Sequence, residues 1–183
     1  MIVDAAADIV AGPDGTLHVA VLQLEGPDAN LLYAHRSASG SWTAEVADAT
    51  GSRGVSPSIA VDGSGAPHIV HTEFGGDYAA YYTRRLGGGA WTTERILGIA
   101  EHASDARIAL GPSGGVHVVV RSLFDLVYAK RTAAGVWETV IERYDQTGNS
   151  TMSFLIDPTG RGHVTYGTED ERYLVYATRS FCR

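Results

Sequence analysis

PSIAVDGSGAPHIVHTEFGGDYAAYYTRRLGGGAW, residues Pro57 to Trp91, can be laid over the rest of the 183-residue chain nearly four times. Three anchors recur. A tight turn ending in glycine is followed three residues later by histidine (Gly15/His18, Gly65/His68, Gly114/His117, Gly160/His163). A tyrosine is followed three residues later by arginine (Tyr33/Arg36, Tyr82/Arg85, Tyr128/Arg131, Tyr176/Arg179), and a tryptophan closes the unit (Trp42, Trp91, Trp137). Tyrosine to tryptophan is nine residues every time, and tryptophan to the next turn glycine is twenty-three. Only the interval from histidine to tyrosine varies, through fifteen, fourteen, eleven and thirteen residues.

A period of about 46 to 50 residues with several short strands in each unit is the pattern of propeller blades, not of helical solenoids. The expected fold is therefore all-β, a β-propeller of four tandem blades forming one domain over 1–183, with repeats at approximately 7–56, 57–105, 106–151 and 152–183. Within a unit, the turns Gly12-Pro13-Asp14-Gly15, Asp62-Gly63-Ser64-Gly65, Gly111-Pro112-Ser113-Gly114 and Asp157-Pro158-Thr159-Gly160 end in glycine because the last position wants positive φ. The strands that follow (LHVAVL, HIVH, HVVV, HVTY) are apolar on consecutive positions, as in a sheet covered on both faces. Third strands carry Tyr beside Ala, and fourth strands start at the tryptophans. No helix and no dividing linker is expected.

The last blade lacks its tryptophan strand, so fifteen strands are expected where four complete blades need sixteen. Three arrangements follow: a four-bladed ring with one three-stranded blade, patched by Met1 to Val3; two chains combined into a larger ring; or a piece of a longer propeller. An open ring leaves an unpaired edge, and self-association through the incomplete blade is expected from it.

Composition excludes several classes. The formal net charge is −7, and the thirteen arginines and single lysine are scattered, which disfavours a nucleic-acid partner. No apolar run approaches the ~18 residues of a membrane span. Cys182 is the only cysteine, so no intrachain disulfide or cysteine metal cluster is expected, and no cofactor. Met1 is followed by acidic and small residues without a basic segment, unlike a signal peptide, and the compartment stays open.

The combination VDGSGAPHIV, then LLYAHR or LVYAKR, then GSW or GVW near a glutamate, resembles the bacterial propeller repeats grouped with the sialidase-like, Asp-box (BNR-type) proteins, from Ile9 to Arg179. The resemblance implies a fold and carries over no catalytic site. An Asp-box turn has Asp, Gly and then Trp at short fixed spacing, whereas here His takes the aromatic place and only Asp62 and Asp157 supply the acid.

What recurs in every repeat is expected to be scaffold. The four histidines are expected to tie a strand start to nearby backbone, the arginines to pair with carboxylates such as Glu45 and Glu94, and the tryptophans to fill the core between blades. What occurs once is free to be functional, and that means the connections of variable length. Their candidate ligand-binding residues are His71, Glu73, Phe74, Tyr78, Arg121, Phe124, Asp125, Glu169 and Arg172: aromatic rings for stacking beside carboxylate and cationic groups. A non-catalytic module binding a glycan or a protein is the leading expectation. A glycoside hydrolase or lyase is the alternative, with His71 and Glu73 on one strand face as acid, base or metal ligands, and a structural scaffold is the third. A sialidase-type site finds little to stand on, since Tyr144, Glu142 and Arg143 are consecutive and point to opposite faces.

Overall fold

The protein, here a computed structural model, is described over residues 6–25, 28–73, 75, 78–96, 102–122, 125–142, 147–168 and 173–180. These contain fifteen strands and no helix. Sheet I is β1 (Ala7–Ala11), β2 (Leu17–Glu25), β3 (Asp28–Arg36) and β4 (Trp42–Asp48). Sheet II is β5 (Arg53–Val61), β6 (Pro67–Glu73), β7 (Ala80–Arg85) and β8 (Trp91–Arg95). Sheet III is β9 (Ala103–Leu110), β10 (Val116–Ser122), β11 (Asp125–Arg131) and β12 (Trp137–Glu142). Sheet IV is β13 (Thr147–Ile156), β14 (Arg161–Thr168) and β15 (Leu174–Ser180). Each strand pairs antiparallel with its sequence neighbour, so every sheet is a meander, and β4, β8 and β12 begin at the three tryptophans as expected.

The hairpin turns fold as the sequence requires. In the second repeat the Asp62 carboxylate accepts from the Ser64 amide (2.8 Å), the Ser64 hydroxyl (2.6 Å) and the Ala66 amide (3.0 Å), while Gly65 takes φ +85°. Asp157 does the same with Thr159 and Arg161.

The sheets stack face to face in sequence order, with the first strand of each innermost. β1 packs on β5, β5 on β9 and β9 on β13, and no packing of comparable extent among the described residues returns from sheet IV to sheet I. Equivalent levels meet: Asp8 accepts from the Ser58 hydroxyl (3.0 Å) and the Ile59 amide (2.9 Å), and Asp105 accepts from the Met152 amide (3.3 Å). All sheets therefore run in the same sense. The glycine turns and the tryptophan turns lie at one end, and the connections of variable length at the other.

Strand alternation gives each sheet a front face toward the next sheet and a rear face toward the previous one. Between I and II the core is Ala20, Leu31, Tyr33, Ala47, Ile59 and Ile69. Between II and III it centres on Val70, Tyr82, Val118 and Ala129, and between III and IV on Val119, Tyr128, Met152 and Tyr166. Burial of both faces explains why β6 and β10 read as unbroken apolar runs. At Gly54, φ +99°, an added Cβ would lie 2.7 Å from the backbone of Asn30 and Leu31, so the entry of β5 can approach sheet I only as glycine. No helix of the described residues is long and apolar enough to cross a membrane.

Candidate functional site

The recurrent histidine and tyrosine meet. Nδ1 of His18, His68, His117 and His163 lies 2.6, 2.5, 2.6 and 2.6 Å from the hydroxyls of Tyr33, Tyr82, Tyr128 and Tyr176. This corrects the expectation that these imidazoles tie down backbone: the partner is a side chain on the adjacent strand. The register explains it. His18 is opposite His35, His68 opposite Arg84, His117 opposite Lys130 and His163 opposite Thr178, and in each case the tyrosine sits two residues earlier, the diagonal neighbour on the same face. The variable hairpin lies beyond the pair and leaves it untouched.

In repeats two and four the second nitrogen faces the turn aspartate, His68 Nε2 to Asp62 at 3.4 Å and His163 Nε2 to Asp157 at 3.0 Å. The three contacts at the Asp62 carboxylate hold it down to about 2, so it is ionised and can only accept. Nε2 of His68 then carries the proton, and Nδ1 accepts from the tyrosine. Where the turn starts with glycine, the ring leans into the vacated space: a Cβ on Gly12 would sit 2.8 Å from His18 Nε2, and one on Gly111 2.9 Å from His117 Nε2. Burial lowers the His18 and His68 imidazoles and takes His117 down to about 4, and it raises the Tyr33 and Tyr82 hydroxyls to about 12. These pairs are neutral hydrogen-bonding groups at neutral pH.

The first two pairs each form one wall of a cavity between sheets. The first, about 290 Å³, has His18, Tyr33 and His35 of sheet I on one side, and the Ser64–Pro67 turn with Arg85 of sheet II on the other. The second, about 580 Å³, repeats that plan with His68, Tyr82 and Arg84 of sheet II against the Ser113–Val116 turn, Lys130, Arg131 and Glu138 of sheet III. Behind each cavity, the arginine and tryptophan of the later sheet clamp the tyrosine and glutamate of the earlier one. Arg131 binds Glu94 at 2.6 and 3.3 Å, Trp137 Nε1 donates to Glu94 at 2.8 Å, and the Trp137 ring meets Tyr82 edge-on at 5.5 Å. At the first junction Arg85 pairs with Glu45 at 3.1 Å and Trp91 meets Tyr33 edge-on at 5.0 Å. The expected arginine–glutamate pairing is thus present for Arg85 and Arg131, and there it joins neighbouring sheets. Trp42 departs from the expected role: with no sheet of the described residues packed behind it, it is 54% exposed.

The sequence-derived candidates lie at the opposite end. His71 is fully buried: its Nδ1 accepts from the Gly54 amide (3.2 Å), leaving Nε2 to donate to Thr83 Oγ1 (2.8 Å). Both nitrogens are occupied by protein, and burial takes the ring to about 4, so no lone pair faces outward for a metal or a proton transfer. Glu73 accepts from the Tyr81 hydroxyl at 3.3 Å, beside Arg53, which stacks on the Tyr81 ring at 3.8 Å. Tyr78, at φ +49°, stacks on His102, at φ +72°, with ring centres 5.2 Å apart, and remains 37% exposed. Arg121 donates to the Ser104 hydroxyl at 3.0 Å, and Asp125 opens β11 opposite Ser122. His71 and Glu73 share one face of β6, Tyr78 bridges to sheet III, and Arg121 belongs to sheet III. Phe74, Phe124, Glu169 and Arg172 fall outside the described residues. The cavity residues His35, Arg84 and Lys130 were missed. Their signal was positional: each stands two residues after a repeat tyrosine, where the chemistry changes from repeat to repeat.

The architecture is that of a β-propeller-like protein. By sequence, no family model and no curated protein matches the chain, so the Asp-box resemblance has no support at that level. By structure it is similar to a fungal lectin of six-bladed β-propeller fold from Aleuria aurantia, with a TM-score of 0.65 at 14% identity over 97% of this chain and 64% of that one. It is also similar to a fucose lectin from Kordia zhangzhouensis (0.52, 18% identity, 77% of this chain and all of that one). A polysaccharide lyase described as an ulvan lyase (0.63, 13%, 97% of this chain and 53% of that one) and an endo-arabinase from Bacteroides thetaiotaomicron (0.56, 13%, 97% and 74%) share the fold as well.

Proposed function

We propose that this chain is a non-catalytic, carbohydrate-binding module of propeller type that takes sugars in equivalent cavities between its sheets. The observation carrying this is the repetition of one cavity plan at two junctions, each with an aromatic wall, an imidazole and a glycine turn whose backbone can approach a ligand closely. Sugars are bound by such sets of stacking faces and hydrogen-bonding groups, and like sites of modest individual affinity gain strength through multivalency. The lectins among the fold neighbours support the same reading. The two cavities differ at their rims. The first carries His35 where the second carries Arg84 and Lys130, which with one carboxylate, Glu138, give the second a positive balance suited to an acidic or sulfated sugar. The loop end, with Glu73, Tyr78, Arg121 and Asp125, is the second candidate surface, available to a protein or a longer glycan.

The competing reading is a glycoside hydrolase or lyase, favoured by the lyase and the arabinase that share the fold. Hydrolysis through two carboxylates needs a pair across one bond, and Glu138 stands alone among the described carboxylates lining the second cavity. A glycan array followed by calorimetry tests the proposal. Arg84→Ala with Lys130→Ala is expected to weaken acidic-glycan binding about tenfold or more, an effect of ~1.4 kcal/mol, with the melting temperature unchanged. Binding indifferent to both cavity rims would overturn the cavity assignment, and product released at many equivalents per chain would replace a binding module with an enzyme.

A further inference from the structure

Repetition leaves two half-junctions unmatched. At the I–II and II–III junctions the later sheet presents tryptophan and arginine from its rear face toward the tyrosine on the front face of the earlier one. The rear of sheet I and the front of sheet IV carry those two halves without a described neighbour. Trp42 is 54% exposed, whereas Trp91 and Trp137 are partly buried. Tyr176 is 59% exposed, whereas Tyr33, Tyr82 and Tyr128 are 3%, 1% and 8%. Tyr176 is nonetheless already held by His163 at 2.6 Å, posed like its buried counterparts.

The surroundings fit the same plan. Around Trp42, the cross-strand rows Ile9–Val19–Ala34–Ala44 and Ala7–Val21–Leu32–Val46 make the rear of sheet I apolar from edge to edge. On sheet IV, Leu155 and Leu174 flank Tyr176, and a hollow of about 270 Å³ borders His163 and Tyr176, the pair that faces the next sheet's turn at the first two junctions. Exposed large apolar side chains grouped on one face at each end of a stack mark interaction surfaces. Their patterns are those of the junction the chain already makes twice.

We infer that these faces mate head to tail between copies of this chain, sheet I of one copy seated on sheet IV of the next, with Trp42 edge-on to Tyr176. The contact is heterologous, each copy using a different face, so it closes into a ring or extends as an array according to the rotation per step. It also completes a further cavity, in which the Asp14–Leu17 turn of one copy covers the His163–Tyr176 pair of the other, as the Ser64–Pro67 turn covers His18 and Tyr33. That last consequence rests on the sugar-binding proposal. The assembly itself does not.

Sedimentation equilibrium of the full chain over a hundredfold concentration range is expected to show a defined multiple of the chain mass. Trp42→Asp and Tyr176→Asp, both at exposed sites, are each expected to return it to monomer with the melting temperature of the dissociated wild type. In a Cys182→Ser background, mixing Trp42→Cys chains with Tyr176→Cys chains and adding a short bis-maleimide is expected to give cross-linked heterodimers. A monomer at every concentration overturns the inference, as does an oligomer that survives both aspartates. So does a Trp42→Cys, Tyr176→Cys double variant that cross-links within one chain at high dilution, which would mean the stack closes on itself. None of these readouts involves a sugar, so loss of glycan binding alone leaves them unmoved.

Discussion

The two ends of the sheet stack are made from the same strands and settle their polar groups in opposite ways. At the turn end one solution is used four times, an imidazole nitrogen against a tyrosine hydroxyl at 2.5 to 2.6 Å. At the loop end each junction has its own: His71 between Gly54 and Thr83 in sheet II, and Asp105 with Arg107 (2.6 Å) in sheet III, where burial pushes the carboxyl up. The turn end can repeat because its register is set by the glycine turn immediately beside it. The loop end cannot, because each connection there differs in length. Recurrence therefore marks a constraint on register, and it does not by itself separate scaffold from binding surface, since the inter-sheet cavities are lined by recurrent residues.

The largest expected effect lies at the turn end. Tyr82 is 1% exposed and meets Val70-centred core, His68 and Trp137 at once, so Tyr82→Ala is expected to cost about 3–5 kcal/mol in urea unfolding. A loss below about 1 kcal/mol would break the claim that the repeated pair anchors the junction.

Acid should act on both ends together. His117 and His71 are held near 4 in the folded chain against an ordinary value of 6.5, so the neutral ring is what the fold stabilises. That stability is complete above about 6.5 and is lost as pH falls toward 4, because the unfolded chain takes up the protons first; for His117 the ceiling is roughly 3 kcal/mol. Asp62, held at about 2, loses its contribution only below 3.8. Unfolding free energies measured from pH 7.5 to 3.5 should therefore fall mainly between 6.5 and 4. A flat profile there would mean the imidazoles are not buried neutral.

The two junctions sharpen the comparison further. Arg131, 14% exposed and bound twice to Glu94, is expected to cost about 1–3 kcal/mol as Arg131→Ala, whereas Arg85 and Glu45, at 38% and 40%, should give Arg85→Ala under about 1 kcal/mol. Equal costs would remove the distinction. The smallest effect is expected at the loop end, where Tyr78→Ala should change stability by less than about 1 kcal/mol and be read in ligand binding at that surface.

Much of the fold was legible in advance. Tryptophans opened β4, β8 and β12, glycines closed the turns, and the fifteen expected strands are those found in the described residues. The arginine–glutamate pairs were also foreseen, because both members recur. The histidine–tyrosine pair was not, although both members recur too: their separation in sequence drifts with the hairpin, while their diagonal relation across two strands stays constant. For the site, the sequence drew attention to variable connections, and the cavities instead formed at the end where connections are constant. His71 shows why. A histidine two residues from Glu73 reads as a usable pair, yet strand pairing turned its ring inward, onto an amide supplied by the entry of the preceding strand.

What the amino-acid order determined by itself was local: the turn chemistry, the strand starts and the repeat, because each depends on residues within a few positions of one another. What only the tertiary structure decided was the matching of surfaces: which nitrogen meets which hydroxyl, which glutamate an arginine clamps, where cavities open, and which tryptophan and tyrosine stay uncovered. Those outcomes depend on how one sheet's face lies on the next, and packing between faces couples residues that no spacing along the chain records.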